Sequence, residues 1–212
     1  MENKIHTLLL RQNLQLYFNS VYPFAKIESE HTIERQIHIR FDLGGNHKNG
    51  TSKRVKQATD RAVTLFNDTF TNQDNEIWVL IYEYPEPNFY KVTNEYLHQQ
   101  FPSELFNEFY NQLEQADEDE TQKRIIIGKL PVKDIEIKNI LNAIANTEMG
   151  FEPKINQQIF FIDSLTDKAF QMYDDRGCFV WSDNADKIRN IYVKRNKWIV
   201  DYHKPEIDSY FT

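Results

Sequence analysis

The sequence predicts an α+β fold: a mixed, largely antiparallel sheet with helices packed on it, in one domain spanning residues 1–212. Three observations predict it. Ile37, Ile39, Phe41 and Leu43 alternate with His38, Arg40 and Asp42, the period of a strand with one buried face. Val55, Ala58, Ala62, Leu65, Phe66 and Phe70 recur at steps of three and four, the stripe of an amphipathic helix. Phe170–Tyr173 and Cys178–Trp181 flank Asp174-Asp175-Arg176-Gly177, which is hairpin chemistry because Asp tolerates turn conformations and Gly accepts positive φ.

The remaining elements follow in order. Ile5, Leu8, Leu9, Gln12 and Leu16 have helical spacing, with Tyr17 and Phe18 continuing the apolar face, so residues 4–19 read as a helix ended by Tyr22-Pro23. The strand at 37–43 leads through a Gly-rich loop into the helix at 52–70. The unbroken apolar run Ile77–Tyr82 reads as a central strand, and with the two preceding elements it would form a βαβ unit. Ser103 is a suitable N-cap for a helix placing Leu105, Phe106, Phe109 and Leu113 inward. Arg124–Gly128 is a strand, and 133–147 a helix with Ile137, Ile140, Leu141 and Ile144 as its stripe and Gly150 as its stop. Ile159–Ile162 is a strand. Asp183 would cap a helix carrying Ile188, Ile191 and Tyr192, and the apolar tail, Trp198 to Phe211, is expected to dock on the body. The acidic connector 114–122 is the one candidate boundary and would divide the chain into two lobes.

Composition narrows the function classes. There are 25 Lys and Arg against 32 Asp and Glu, for a net charge of −7, the wrong sign for wrapping nucleic acid or an anionic membrane and suited to a basic protein partner. The single cysteine, Cys178, precludes an internal disulfide and reads as a packing residue. The apolar run Leu8–Leu10 is too short for a signal peptide or a membrane span, so a cytoplasmic protein is expected. The histidines show no metal-ligand spacing, and neither metal nor cofactor is expected. Ser103 and Ser164 lack the context of an activated nucleophile.

Three groups of residues are candidate sites. The loop Gly44–Ser52 has the two glycines of a phosphate-binding loop between strand and helix, but Thr51 stands where the phosphate-binding lysine would follow Gly50. A milder reading keeps Gly45, Lys48, Gly50, Ser52, Lys53 and Arg54 as an anion site, because a helix start offers unpaired N–H groups and this one is crowded with cations; the bland alternative is that those side chains swing into water. His38, Arg40 and Asp42 project from one strand face, either as a proton-transfer or carboxylate-binding row or as its wet side. Residues 104–120 contain seven acids and no Lys or Arg, which makes Glu114, Asp117, Glu118, Asp119 and Glu120 a candidate partner surface, or else a solvated helix end. The basic segment 187–204, with Tyr192 and Trp198, superficially suits single-stranded nucleic acid, against which the total charge and the inward stripe both argue.

Four stretches, Ile39–Gly44, Arg61–Phe66, Tyr173–Gly177 and Trp198–Tyr202, in that order and spacing, resemble the bacterial domain-of-unknown-function family 3885 across residues 35–211. The resemblance implies a bacterial cytoplasmic protein from a Bacillus-like organism and carries over no catalytic residue. The leading expectation is a non-catalytic protein-binding module, an immunity-type inhibitor of a toxin. The rival is a small-molecule or phosphate-ligand binder built around the 44–54 loop with Arg40 and His38.

Overall fold

The computed structural model describes residues 2–33, 37–84, 95–115 and 122–212. Its centre is a seven-stranded sheet formed by β1 (Ile37–Asp42), β2 (Glu76–Glu83), β3 (Tyr110–Gln115), β4 (Gln122–Pro131), β5 (Gln158–Asp163), β6 (Lys168–Asp174) and β7 (Gly177–Ser182). The order across the sheet is β1-β7-β6-β5-β2-β4-β3, and each pair of neighbours is antiparallel. The fold is thus α+β, with helices on both faces.

One face is covered by α2 (Ser52–Thr69), α5 (Ile137–Met149) and α6 (Ala185–Arg195). The expected stripes of α2 and α5 are buried there against Ile39, Phe41, Val79, Ile81, Phe161 and Phe170. Phe66 is the hub, meeting Phe70, Phe161 and Phe170 edge-on at centroid distances of 4.7, 5.2 and 5.6 Å, the arrangement aromatic quadrupoles favour. Gly150 ends α5 at φ 78°, where a side chain would be strained. Gly128 on β4 is small for a different reason: a Cβ there would lie 2.1 Å from the Phe109 ring, which packs directly on the strand.

The other face carries α1 (Glu2–Val21). This helix has the expected place, but only the aromatic part of its expected face, Tyr17 and Phe18, is turned to the sheet. Leu14 and Phe18 are fully buried with Tyr22 against Trp78, Leu80, Phe160 and Trp181, while Ile5, Leu8, Leu9 and Leu16 face outward. The helix holds two apolar stripes, and the larger aromatic one took the sheet because burial gain scales with the area removed from water.

Other expectations are corrected. β1 and β2 lie in one sheet but are separated by β7, β6 and β5, so no βαβ unit forms; the β6–β7 hairpin and β5 occupy the intervening places. After α3 (Glu95–His98), the segment from Ser103 makes one helical turn, α4 (Ser103–Phe106), with Pro102 at the cap position and no side-chain cap bond. The chain then becomes β3, with Leu113 about half exposed. Without β3 the edge of β4 would present a full row of unpaired N–H and C=O groups, and pairing with it outcompetes the helical stripe. Gln115 pairs with Gln122, so the two ends of the acidic connector are neighbours in the sheet, and its residues 116–121 lie outside the described residues. The cap of α6 is Asn184, whose side chain accepts from Asp186 N at 2.9 Å; Asp183 pairs with Lys187 instead.

The tail docks as expected. Ile199 bridges to Phe41, and Val200 N donates to Arg40 O, covering the outer edge of β1. Ile207 of α7 (Lys204–Ser209) and Phe211 enter the core, with Phe211 stacked on Tyr192 at 4.1 Å. No helix among the described residues is long and apolar enough to cross a membrane.

Candidate functional site

The loop after β1 is tied down by its own neighbours. Asp42 Oδ1 accepts from Gly45 N at 3.1 Å, and Gly45 turns at φ 56°. Arg61 of α2 donates to Asp42 O at 2.9 Å and Oδ2 at 3.2 Å. Thr51 caps α2, accepting from Arg54 N at 3.3 Å while its hydroxyl donates to Lys48 O at 2.7 Å. The Arg54 guanidinium folds back beneath this loop. It donates to His47 O at 2.9 Å and Gly45 O at 3.3 Å, and its Nε meets Asp175 Oδ2. Both charges are buried, and Gly44 has no room for a Cβ over the guanidinium.

This geometry redistributes the candidate anion site. Arg54 is committed to Asp175 and to loop carbonyls, so the loop wraps an internal cation and does not leave it to a solvent anion. Gly50 N points to Met149 Sδ at 3.1 Å. Lys48, Ser52 and Lys53 are exposed, and of these Lys53 lines an open groove of about 420 Å³ with His47, Lys56, Arg61 and Trp198. Lys56 and Arg61 in that groove are already paired with Asp60 and Asp42.

The polar row of β1 is not a bare wet face. Arg40 donates through Nε and Nη2 to the Tyr173 hydroxyl at 3.1 and 2.9 Å, and its Nη1 lies 2.9 Å from His203 Nε2 in the tail. The guanidinium also lies over the rings of Tyr173 and Phe179. Burial raises the Tyr173 pKa, against an opposing pull from Arg40, so the phenol keeps its proton at neutral pH. His38 packs against Phe179 and Tyr210, and Asp42 belongs to the Arg61 pair. Trp198 completes the corner between Arg61 and Arg195, whose guanidinium carbons lie 5.2 and 5.0 Å from its ring centroid. The four stretches that looked familiar in sequence thus meet around one corner of the sheet. Ion pairs and cation–π contacts hold the β1–α2 loop, the β6–β7 hairpin and the tail there.

Glu114 and most of the basic segment are paired within the chain. Glu114 is bound by Arg11 of α1, at 3.0 and 3.1 Å, and by the Tyr110 hydroxyl, so it serves the fold; Asp117, Glu118, Asp119 and Glu120 lie outside the described residues. In the basic segment Lys187 pairs with Asp167 and Asp183, Arg189 with Asp186, Lys194 and Arg195 with Asp68, and Lys204 with Asp208. Burial pushes the Cys178 thiol well up, which suits its packing position. Among the described residues no group of three or more His, Cys, Asp or Glu side chains could hold a metal ion.

Sequence reasoning missed two features. One is the outward face of α1: Tyr17 and Phe18 share their stripe with Leu10, Leu14 and Val21, and not with Ile5, Leu8, Leu9 and Leu16. The other is a buried Lys123–Glu30 pair at 3.1 Å beneath Tyr84, which joins residues 93 apart and left no local pattern.

These observations define an α+β protein in which a buried ion pair joins the β1–α2 loop to the β6–β7 hairpin, and backbone, Arg40 and cation–π contacts fasten the tail to the edge of an antiparallel sheet. The chain belongs to the family described as domain of unknown function DUF3885, whose model matches residues 14–203. It is also similar to the uncharacterized protein YnaE of Bacillus subtilis (strain 168), 29% identical over 97 residues. That match covers 43% of this chain and 45% of the relative, so the chain spans less than half the length of the curated protein it matches. No solved structure matches it significantly.

Proposed function

We propose that this chain is a non-catalytic protein-binding module that blocks a basic protein partner by occlusion, in the manner of an immunity-type inhibitor. The observation that carries this reading is the outward face of α1. Ile5, Leu8, Leu9 and Leu16 are 57%, 59%, 45% and 58% exposed, on a helix already anchored by its other side. Four large aliphatic side chains at helical spacing on a held helix are the form an amphipathic helix takes when it enters a partner's groove. The net charge of −7 makes the complementary partner basic and speeds its encounter.

The test is a pair of charge insertions on that face. Leu8→Asp with Leu16→Asp leaves stability within about 0.5 kcal/mol per substitution, because neither side chain is packed. Each is expected to weaken the partner complex by about 30-fold or more, the size of a lost anchor residue. The readout is stoichiometric capture from the native host followed by titration, with rescue of growth when a toxic partner is co-expressed. Failure to capture a stoichiometric basic partner, or equal capture by the double variant, overturns the reading.

One observation favours a second reading, an anionic small-molecule binder at the α2 groove: Lys53 and His47 stand there beside Trp198 in about 420 Å³ of open space. That reading expects inorganic phosphate to raise the melting temperature and Lys53→Glu to abolish the rise. A phosphate response identical in the two proteins removes it.

A further inference from the structure

A further cavity lies away from both surfaces just discussed. It occupies about 390 Å³ between the C-terminal turn of α5, the loop entering β5, and the ends of β6 and β7. That volume is in the range of small-molecule sites. Its lining has an unusual chemistry. Four lining side chains, Asn156, Gln157, Gln158 and Gln171, are amides, while the Thr147 hydroxyl is bonded to Ala143 O and Ile155 O at 3.0 and 2.9 Å. Each amide offers both donors and acceptors. One wall carries the rings of Tyr173 and Phe179, which meet at 5.5 Å.

The charge of the lining narrows the ligand. No Lys, Arg or His lines the cavity, and the nearby Arg40 is committed to the Tyr173 hydroxyl and to His203, so no cation in the lining pairs with a phosphate or carboxylate. Two carboxylates are present. Asp174 is engaged by Arg176 through its backbone N–H and its guanidinium, and Glu148 stands exposed at the rim. A cationic ligand would thus find its only uncommitted counter-charge in water, where attraction is weak. The Tyr173 phenol is held in place by two N–H donations from Arg40, which leaves its own proton to donate. The amides, the Tyr173 hydroxyl and an aromatic wall match a molecule with adjacent hydroxyls on its edge and C–H bonds on its face.

We infer that this cavity is a binding site for a neutral, hydroxyl-rich small molecule of the sugar class. The amides of Asn156 and Gln158 and the Tyr173 hydroxyl bind its edge, and the Tyr173–Phe179 wall takes its apolar face.

The experiment is calorimetric or ligand-observed NMR titration of the whole chain with glucose, galactose, N-acetylglucosamine and maltose. At least one is expected to bind in the millimolar range or tighter. Gln158→Ala and Asn156→Ala are each expected to weaken it about tenfold, the loss of a good hydrogen-bonding group. Asn156 is exposed, so its variant folds even where Gln158→Ala does not. The phosphorylated form of the best sugar is expected to bind more weakly. No binding by any of the four, binding unaffected by Asn156→Ala, or equal or tighter binding of the phosphorylated sugar each overturns the inference.

Discussion

Arg54→Ala is expected to lower the unfolding free energy by about 3–5 kcal/mol, read as a shift of the denaturant midpoint at unchanged slope. The size follows from what is left behind. Asp175 is fully buried, Oδ1 has no hydrogen-bond partner among the described residues, and Oδ2 is held by Arg54. Without the guanidinium the carboxylate is buried with no counter-charge, and the carbonyls of Gly45 and His47 lose their donors. The double variant Arg54→Met with Asp175→Leu is expected to recover most of the loss, because removing both charges removes both desolvation penalties. A loss below about 1 kcal/mol for Arg54→Ala, the range of an exposed pair, would show that water reaches the corner and that the pair is superficial.

That corner also shows what was legible in the sequence. The strand at 37–42, the helix at 52–69 and the hairpin at 168–182 each carry their own periodicity or turn chemistry, so each could be read from a window of neighbours. Arg54 could be placed near a helix start, but its partner stands 121 residues away, and nothing local distinguishes a buried arginine from a solvated one. The same limit explains β3. Leu105, Phe106, Phe109 and Leu113 fit a helical stripe, and only the free edge of β4, a property of the assembled sheet, converts Tyr110–Gln115 to a strand. In α1 both stripes were legible, but which one faced the sheet was decided by the fit of Phe18 and Tyr22 against Trp78, Phe160 and Trp181. The candidate anion loop was correctly placed between strand and helix, yet its most prominent cation turned inward. The cavity near Tyr173 gave no local signal, because its amides come from α5's following loop and from β5 and β6 and meet only in three dimensions.

On the opposite face of the sheet, Lys123→Ala is expected to be comparably damaging, at about 3–5 kcal/mol. Lys123 and Glu30 are 3% and 7% exposed, and the ammonium also lies 5.4 Å from the centre of the Tyr82 ring. Burial alone would raise the Glu30 pKa. Hydrogen bonds from the Tyr84 hydroxyl and from Lys123, with the attraction of Lys123, overcome that and hold it below its ordinary 4.5. A carboxyl depressed in the folded state binds its proton more readily when unfolded. Its contribution is therefore fully present above the ordinary value and is lost as the pH falls through the folded value. Glu28, held by Arg11, and Asp68, held by Arg195 and Lys194, are depressed in the same way and add to the acid sensitivity. Wild-type stability is thus expected to fall below about pH 4.5, and Glu30→Gln to show a shallower fall over that window, as measured by denaturant unfolding across a pH series. Parallel pH profiles for the two proteins would place Glu30 in contact with water in the folded state. Its link from the segment following α1 to β4 would then be a surface contact, and the anchoring of α1, which holds its aliphatic face outward, would rest on the packing of Leu14, Phe18 and Tyr22 and on the Arg11–Glu114 pair.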